Sequence, residues 1–126
     1  MALMPGAGGA YVLPRIVGRA KALEMLWTGD FMDSEEAERI GLINKALADD
    51  ELMPHVEAMA RRLADGPVHS IRSIKQAVRA GQNSDLPTSL DYGALNYGVL
   101  ALGEDHLEAV DAFLEKRTPE FKGGGS

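Results

Sequence analysis

The sequence contains no cysteine. A disulfide framework, a thiolate metal site and a cysteine nucleophile are excluded together, and the absence fits a reducing compartment such as the cytoplasm. An excess of basic residues is also lacking: 13 Lys and Arg stand against 19 Asp and Glu, a formal net charge of −6. A nucleic-acid surface needs the opposite balance, so no nucleic-acid partner is expected. No apolar run approaches the roughly 18 residues that a membrane span requires. The opening "MALMPGAGG" lacks the basic start and long apolar stretch of a signal peptide, and no membrane partner is expected. The three histidines, His55, His69 and His106, have no metal-ligand spacing. With neither a G-x-S-x-G nor a Walker loop in the chain, they read as surface or cap residues, and no metal or cofactor is expected.

What is present is a chain of 126 residues, 45% apolar and 25% charged, the balance of one small globular domain or of part of a larger one. Its punctuation predicts helices joined by short connectors. A turn at Pro5–Gly9 opens a first helix that Pro14 breaks. Residues 18–28 form the next, with Ala20, Leu23, Leu26 and Trp27 on one face and Gly29 as the stop. Asp33 caps a short helix, with Glu36 three residues on, as a variant capping box, and Gly41 ends it. "GLINKAL" reads as a short extended piece.

The spacing predicts a helix over 50–64, with Leu52, Val56, Met59, Ala60 and Leu63 as its apolar stripe and Pro54 tolerated in its first turn. A helix over 68–80 turns Ile71, Ile74 and Val78 inward and Arg72, Lys75 and Arg79 outward. That basic row, with Arg61 and Arg62, reads as a solvated face rather than a phosphate site. "GQNSDLP" is a loop. Helix 88–101 is apolar on more than one side, and Gly93 and Gly98 leave room for a close neighbour. In the last helix, about 104–116, Leu107, Val110 and Leu114 form the stripe expected to pack inward. Trp27 and the six methionines read as core. The closing "GGGS" is low-complexity, a linker or tail.

Two features resist a plain helical domain. "MPGAGGAYVLPRIVG", residues 4–18, holds four glycines and two prolines, and little precedes it for those apolar residues to pack on. Phe113 lies roughly 100° around the last helix from the inward stripe, where core packing gives no reason for a large aromatic.

"PGAGGAYVLPRIVGRAKALEMLWTG", "MDSEEAERIGLINKAL" and "EDHLEAVDAFLEKRTPEFKG", in that order, resemble three successive segments of the enoyl-CoA hydratase/isomerase (crotonase) family, and together they span nearly the whole chain. The resemblance is to the family's C-terminal half only. It implies a mainly α chain, the helical C-terminal part of the α/β crotonase fold without its N-terminal ββα core. Residues 1–47 would end that core as a wall of the acyl-CoA pocket, 48–122 would be a helical assembly region, and 123–126 a linker or tail. The chemistry implied is lyase or isomerase work on acyl-CoA thioesters in fatty-acid metabolism, with coenzyme A as part of the substrate rather than a cofactor.

In that family two glutamates act as acid and base, and backbone N–H groups form the oxyanion hole. These lie upstream of the glycine turn, so the resemblance implies no catalytic residue in this chain and no activity by itself. It also implies substrate-binding roles for Gly6, Gly8 and Gly9, where backbone approaches the thioester, and for Phe113 and Lys116, which would reach a neighbouring subunit's CoA at adenine and phosphate. Three apart on one helix, Phe113 and Lys116 share a face. Read alone, the glycines are a helix-start turn with no ligand, while Phe113 is equally a subunit contact and Lys116 equally a solvated cation. A homo-oligomer, trimer or hexamer, is expected. The alternative function is a non-catalytic helical oligomerisation or CoA-binding module.

Overall fold

The computed structural model describes residues 3–122, and these form seven α-helices and no strand. The closing "GGGS" lies outside the described residues. The chain divides into two units, one ending at Leu52 and the other beginning at Met53.

In the first unit, α1 (Gly9–Val17) packs on α2 (Arg19–Thr28). Contrary to expectation, Pro14 does not break α1, which runs through it and stops at Gly18. Proline's fixed φ suits a helix, and what it removes is one N–H. The carbonyl that loses its partner is that of Ala10, four residues back; separately, Arg15 Nη1 donates to the Tyr11 carbonyl at 2.7 Å, and the guanidinium lies 3.5 Å above the Tyr11 ring. α2 ends as expected at Gly29, which adopts φ 66° and donates its N–H to the Met25 carbonyl at 3.0 Å. The buried residue of α2 is Ala22. Trp27 is 76% exposed, so it is not core. Nor are all the methionines: Met4, Met53 and Met59 are exposed.

The third helix, α3 (Ser34–Arg39), is capped by Asp33, whose carboxylate accepts the Glu36 N–H at 2.8 Å. Glu36 turns its own carboxylate to the Arg39 guanidinium, which holds its pKa below the usual range. A 3.5 Å contact from Lys21 ties this pair to α2. Gly41, at φ 76°, ends the helix with a double closure: its N–H reaches Glu38 and that of Leu42 reaches Ala37. "GLINKAL" is then irregular rather than extended. Its course is fixed by bonds back to α3, including Ala46 N–H to the Glu38 carboxylate at 2.7 Å.

The helix α4 (Asp49–Ala64) crosses the division, and Pro54 sits in its second turn rather than its first. Its stripe of Leu52, Val56, Met59 and Leu63 is exposed. In the second unit, α5 (Val68–Gly81) packs on α6 (Leu86–Ala101), and α6 on α7 (Glu104–Glu115). Of the α5 stripe, Ile71 is half-buried while Ile74 and Val78 are exposed. Arg72, Lys75 and Arg79 are exposed as expected.

Two residues ahead of its expected start, α6 begins where Asp85 accepts the Thr88 N–H at 2.8 Å and Pro87 occupies the first turn. Ser89, Tyr92, Asn96 and Leu100 are its half-buried side. Leu86, Leu90 and Tyr97 lie exposed to one side, and Leu95, Val99 and Leu102 to the other. A Cβ at Gly93 or Gly98 would meet nothing within 4 Å, so the neighbour expected there is not found among the described residues. In α7 the expected inward stripe is reversed: Leu107, Val110 and Leu114 are exposed, and the buried residue is Ala112, with Glu108 and Ala109 half-buried beside it. Small residues let α7 approach its neighbour where leucines would hold it off.

The segment after α7 folds back on it. The Glu108 carboxylate accepts both terminal nitrogens of Arg117, one at 3.0 Å, and the Glu120 N–H at 2.8 Å. These donors, Arg117 foremost, hold its pKa down at about 2, against an ordinary 4.5. Since the folded value is the lower one, the pair's stabilisation is complete above about pH 4.5 and is lost as the pH falls from there through about 2. NMR of the Glu108 side-chain carboxyl is expected to titrate near 2. A midpoint near 4.5 would show that the pair does not form in solution.

Candidate functional site

At the head of α1, Gly8 takes φ 83°, a left-handed conformation that disfavours side chains, and its carbonyl accepts the Tyr11 and Val12 N–H groups, each at 3.0 Å. The N–H groups of Gly9 and Ala10 have no acceptor within the helix. A Cβ at Gly6 or Gly8 would meet open space, whereas one at Gly9 would sit 3.3 Å from the Pro5 ring carbon. The turn therefore presents bare backbone at Gly6 and Gly8, with Pro5 buttressing Gly9 from behind. There is no carboxylate anywhere in the sequence before Glu24, so the turn can donate hydrogen bonds and offers no side chain for proton transfer.

Phe113 and Lys116 stand together at the end of α7, in the second unit. Phe113 is 82% exposed. Lys116 is not within the helix as expected: it is the residue just past it, at φ 56° and ψ 37°. The Lys116 N–H donates to the Phe113 carbonyl at 3.3 Å and the Arg117 N–H to that of Ala112 at 3.0 Å, the paired bonds of a Schellman closure. Lys116 is the one non-glycine among the described residues with positive φ. Sequence reasoning missed this because lysine is a common residue for a last helical turn. The signal that could have found it is Pro119, close beyond the end.

Two clefts lie elsewhere. One, about 180 Å³, lies among Lys21, Met25, Phe31 and Glu36. The other, about 230 Å³, is walled by Tyr97, Leu100, His106 and Phe121. Neither borders the glycine turn or the Phe113–Lys116 pair. His55, His69 and His106 are exposed, and the described residues contain no cluster able to hold a metal ion. Among the described residues, no helix is long and apolar enough to cross a membrane.

Seven helices that begin on an open glycine turn and end on a folded-back tail match the helical C-terminal part of the crotonase fold. A solved enoyl-CoA hydratase subunit I from Geobacillus kaustophilus superimposes with a TM-score of 0.87 at 40% identity, over 96% of this chain and 47% of that one. The chain belongs to the enoyl-CoA hydratase/isomerase family, whose sequence profile matches residues 1–124. It is 43% identical over 121 residues to a probable enoyl-CoA hydratase of Rhodobacter capsulatus, covering 96% of this chain and 47% of the relative. It is 34% identical over 123 residues to a 1,2-epoxyphenylacetyl-CoA isomerase of Escherichia coli, covering 98% and 47%. The chain thus spans about half the length of these relatives.

Proposed function

We propose that these residues form the half of an acyl-CoA hydratase or isomerase that borders the thioester at the head of α1 and reaches the nucleotide end of CoA through Phe113 and Lys116. By themselves they bind and assemble, and do not catalyse. The observation that carries this reading is the open backbone of Gly6 and Gly8 at a helix N-terminus, where a polarised oxygen can approach amides that no side chain shields. The exposed aromatic face of Phe113, with an exposed lysine three residues on, suits an adenine next to a phosphate. In this reading the protein works as a homo-oligomer, a trimer or hexamer, in the cytoplasm, with no resident cofactor.

In the protein at the family's full length, Phe113→Ala and Lys116→Ala are expected to raise KM and leave kcat nearly unchanged, because groups far from the reacting centre supply uniform binding. Loss of stacking at Phe113 is expected to cost about 1–3 kcal/mol. Lys116, exposed, is expected to cost about 1 kcal/mol. Steady-state kinetics and native mass on both variants check this. A fall in kcat with KM and mass unchanged would defeat the reading.

A second reading, a helical assembly module without catalysis, is favoured by the exposed apolar stripes of α4 and α6. Calorimetry with coenzyme A separates the two: heat that disappears in Phe113→Ala supports the first, and no heat at all supports the second.

A further inference from the structure

We propose that Glu108 is a positioning residue: it holds Lys116 in the left-handed conformation and so fixes where the lysine ammonium is presented. The ligand half of this proposal rests on the acyl-CoA reading above; the conformational half stands without it. An L-residue occupies the left-handed region against a handicap of roughly five- to thirtyfold in population. The two other described helices that end left-handed, α2 and α3, use Gly29 and Gly41. A lysine at such a place needs something that makes the other conformations worse.

Glu108 supplies it. Eight residues before Lys116, it lies roughly 12 Å back along α7, and only a chain that reverses at Lys116 can bring Arg117 and Glu120 back to it. Both of its oxygens are engaged by residues beyond the reversal: one accepts Arg117 Nη1 and the Glu120 N–H, the other Arg117 Nη2. Arg117 is steadied further by its Nε on Glu115 at 2.6 Å. Were Lys116 helical or extended, all the bonds to Glu108 would be lost together. By linkage, those bonds favour the left-handed state by as much as that state favours them. The dihedral φ at Lys116 also sets its Cα–Cβ direction relative to the Phe113 carbonyl that its N–H meets, so the carboxylate controls where the ammonium is offered relative to the end of α7.

The test is NMR on the full chain, reading the carbon shifts of Lys116, which report the left-handed conformation, and amide exchange at Arg117. Glu108→Gln is expected to erase the left-handed signature and speed Arg117 exchange at least tenfold. In the Lys116→Gly background, where the conformation carries no handicap, the same change should speed it less than threefold. Equal acceleration in both backgrounds, or an unaltered signature in Glu108→Gln, would overturn the proposal. Should circular dichroism show Glu108→Gln unfolded, Arg117→Gln decides by the same criteria.

Coenzyme A titration supplies the ligand arm. Lys116→Ala and Glu108→Gln are each expected to weaken binding about fivefold, the size of one exposed ion pair. If Lys116→Ala binds like the unaltered chain, the acyl-CoA reading of Lys116 fails while the NMR result still judges the conformational claim. If Lys116→Ala weakens binding and Glu108→Gln, its signature lost, does not, positioning is refuted.

Discussion

Given crotonyl-CoA, the 126-residue chain is expected to hydrate it no faster than buffer does. A positioned acid or base contributes on the order of a hundredfold or more, and one oxyanion donor contributes a similar factor. The chain has no carboxylate before Glu24, and the open turn at Gly6–Gly9 has amides alone. If, as proposed, these residues supply neither acid, base nor a complete oxyanion hole, the expected deficit compounds well beyond about a thousandfold. A stopped assay following loss of the conjugated thioester absorbance checks this. Turnover within a thousandfold of an ordinary hydratase would mean that residues here perform proton transfer, and the proposed division of labour would be wrong.

The second large effect concerns assembly. Among the described residues the buried apolar ones are Ala22, Ala37 and Ala112, and three alanines supply little of the burial a stable fold needs. The apolar surface lies outside instead. On α6, Leu90 and Leu95 occupy opposite exposed flanks, and Leu95 is 73% exposed. A helix with exposed apolar residues on two flanks needs cover for them, so the chain is expected to associate with itself at micromolar concentration. Placing an unpaired carboxylate in such a contact removes about 2 kcal/mol of burial and adds a desolvation cost of several kcal/mol. At least one of Leu90→Glu and Leu95→Glu should therefore weaken association more than about a hundredfold. Sedimentation equilibrium is the measurement. A monomer across the micromolar range, or two variants indistinguishable from the unaltered chain, would show that these flanks are not interfaces.

The helices were legible because their ends are chemical. Asp33, Gly29 and Gly41 act through local hydrogen bonds and backbone conformation, which a short window of sequence contains. Pro14 misled because a helix can forgo one N–H, here the partner of the Ala10 carbonyl, and still run on to Val17. Asp85 was readable in principle, since a capping carboxylate ahead of Pro87 marks a start. The inward face of α7 was not, because hydrophobic periodicity counts leucines and overlooks the small Ala109 and Ala112 that allow close packing. Trp27 was misplaced for a related reason: an apolar side chain declares that it will be covered, without saying by what. Of the candidate site, the glycine turn was visible as a turn. The left-handed Lys116 depends on Glu108, Arg117 and Glu120 meeting in space, and no local window holds that arrangement.

Gly93 and Gly98 carry a consequence for the energy landscape of the chain. Each weakens α6 by about 1 kcal/mol relative to alanine, and neither recovers anything from the surrounding residues, since a Cβ there would stand in open space. Local preference and local structure are in conflict at both positions, a signature of frustration. Such a conflict is resolved only at a higher level of organisation, where another backbone comes close enough to use the missing methyl. On the proposed reading, the two glycines mark positions where the folding funnel of this sequence reaches its minimum only when a backbone from beyond the described residues closes on α6.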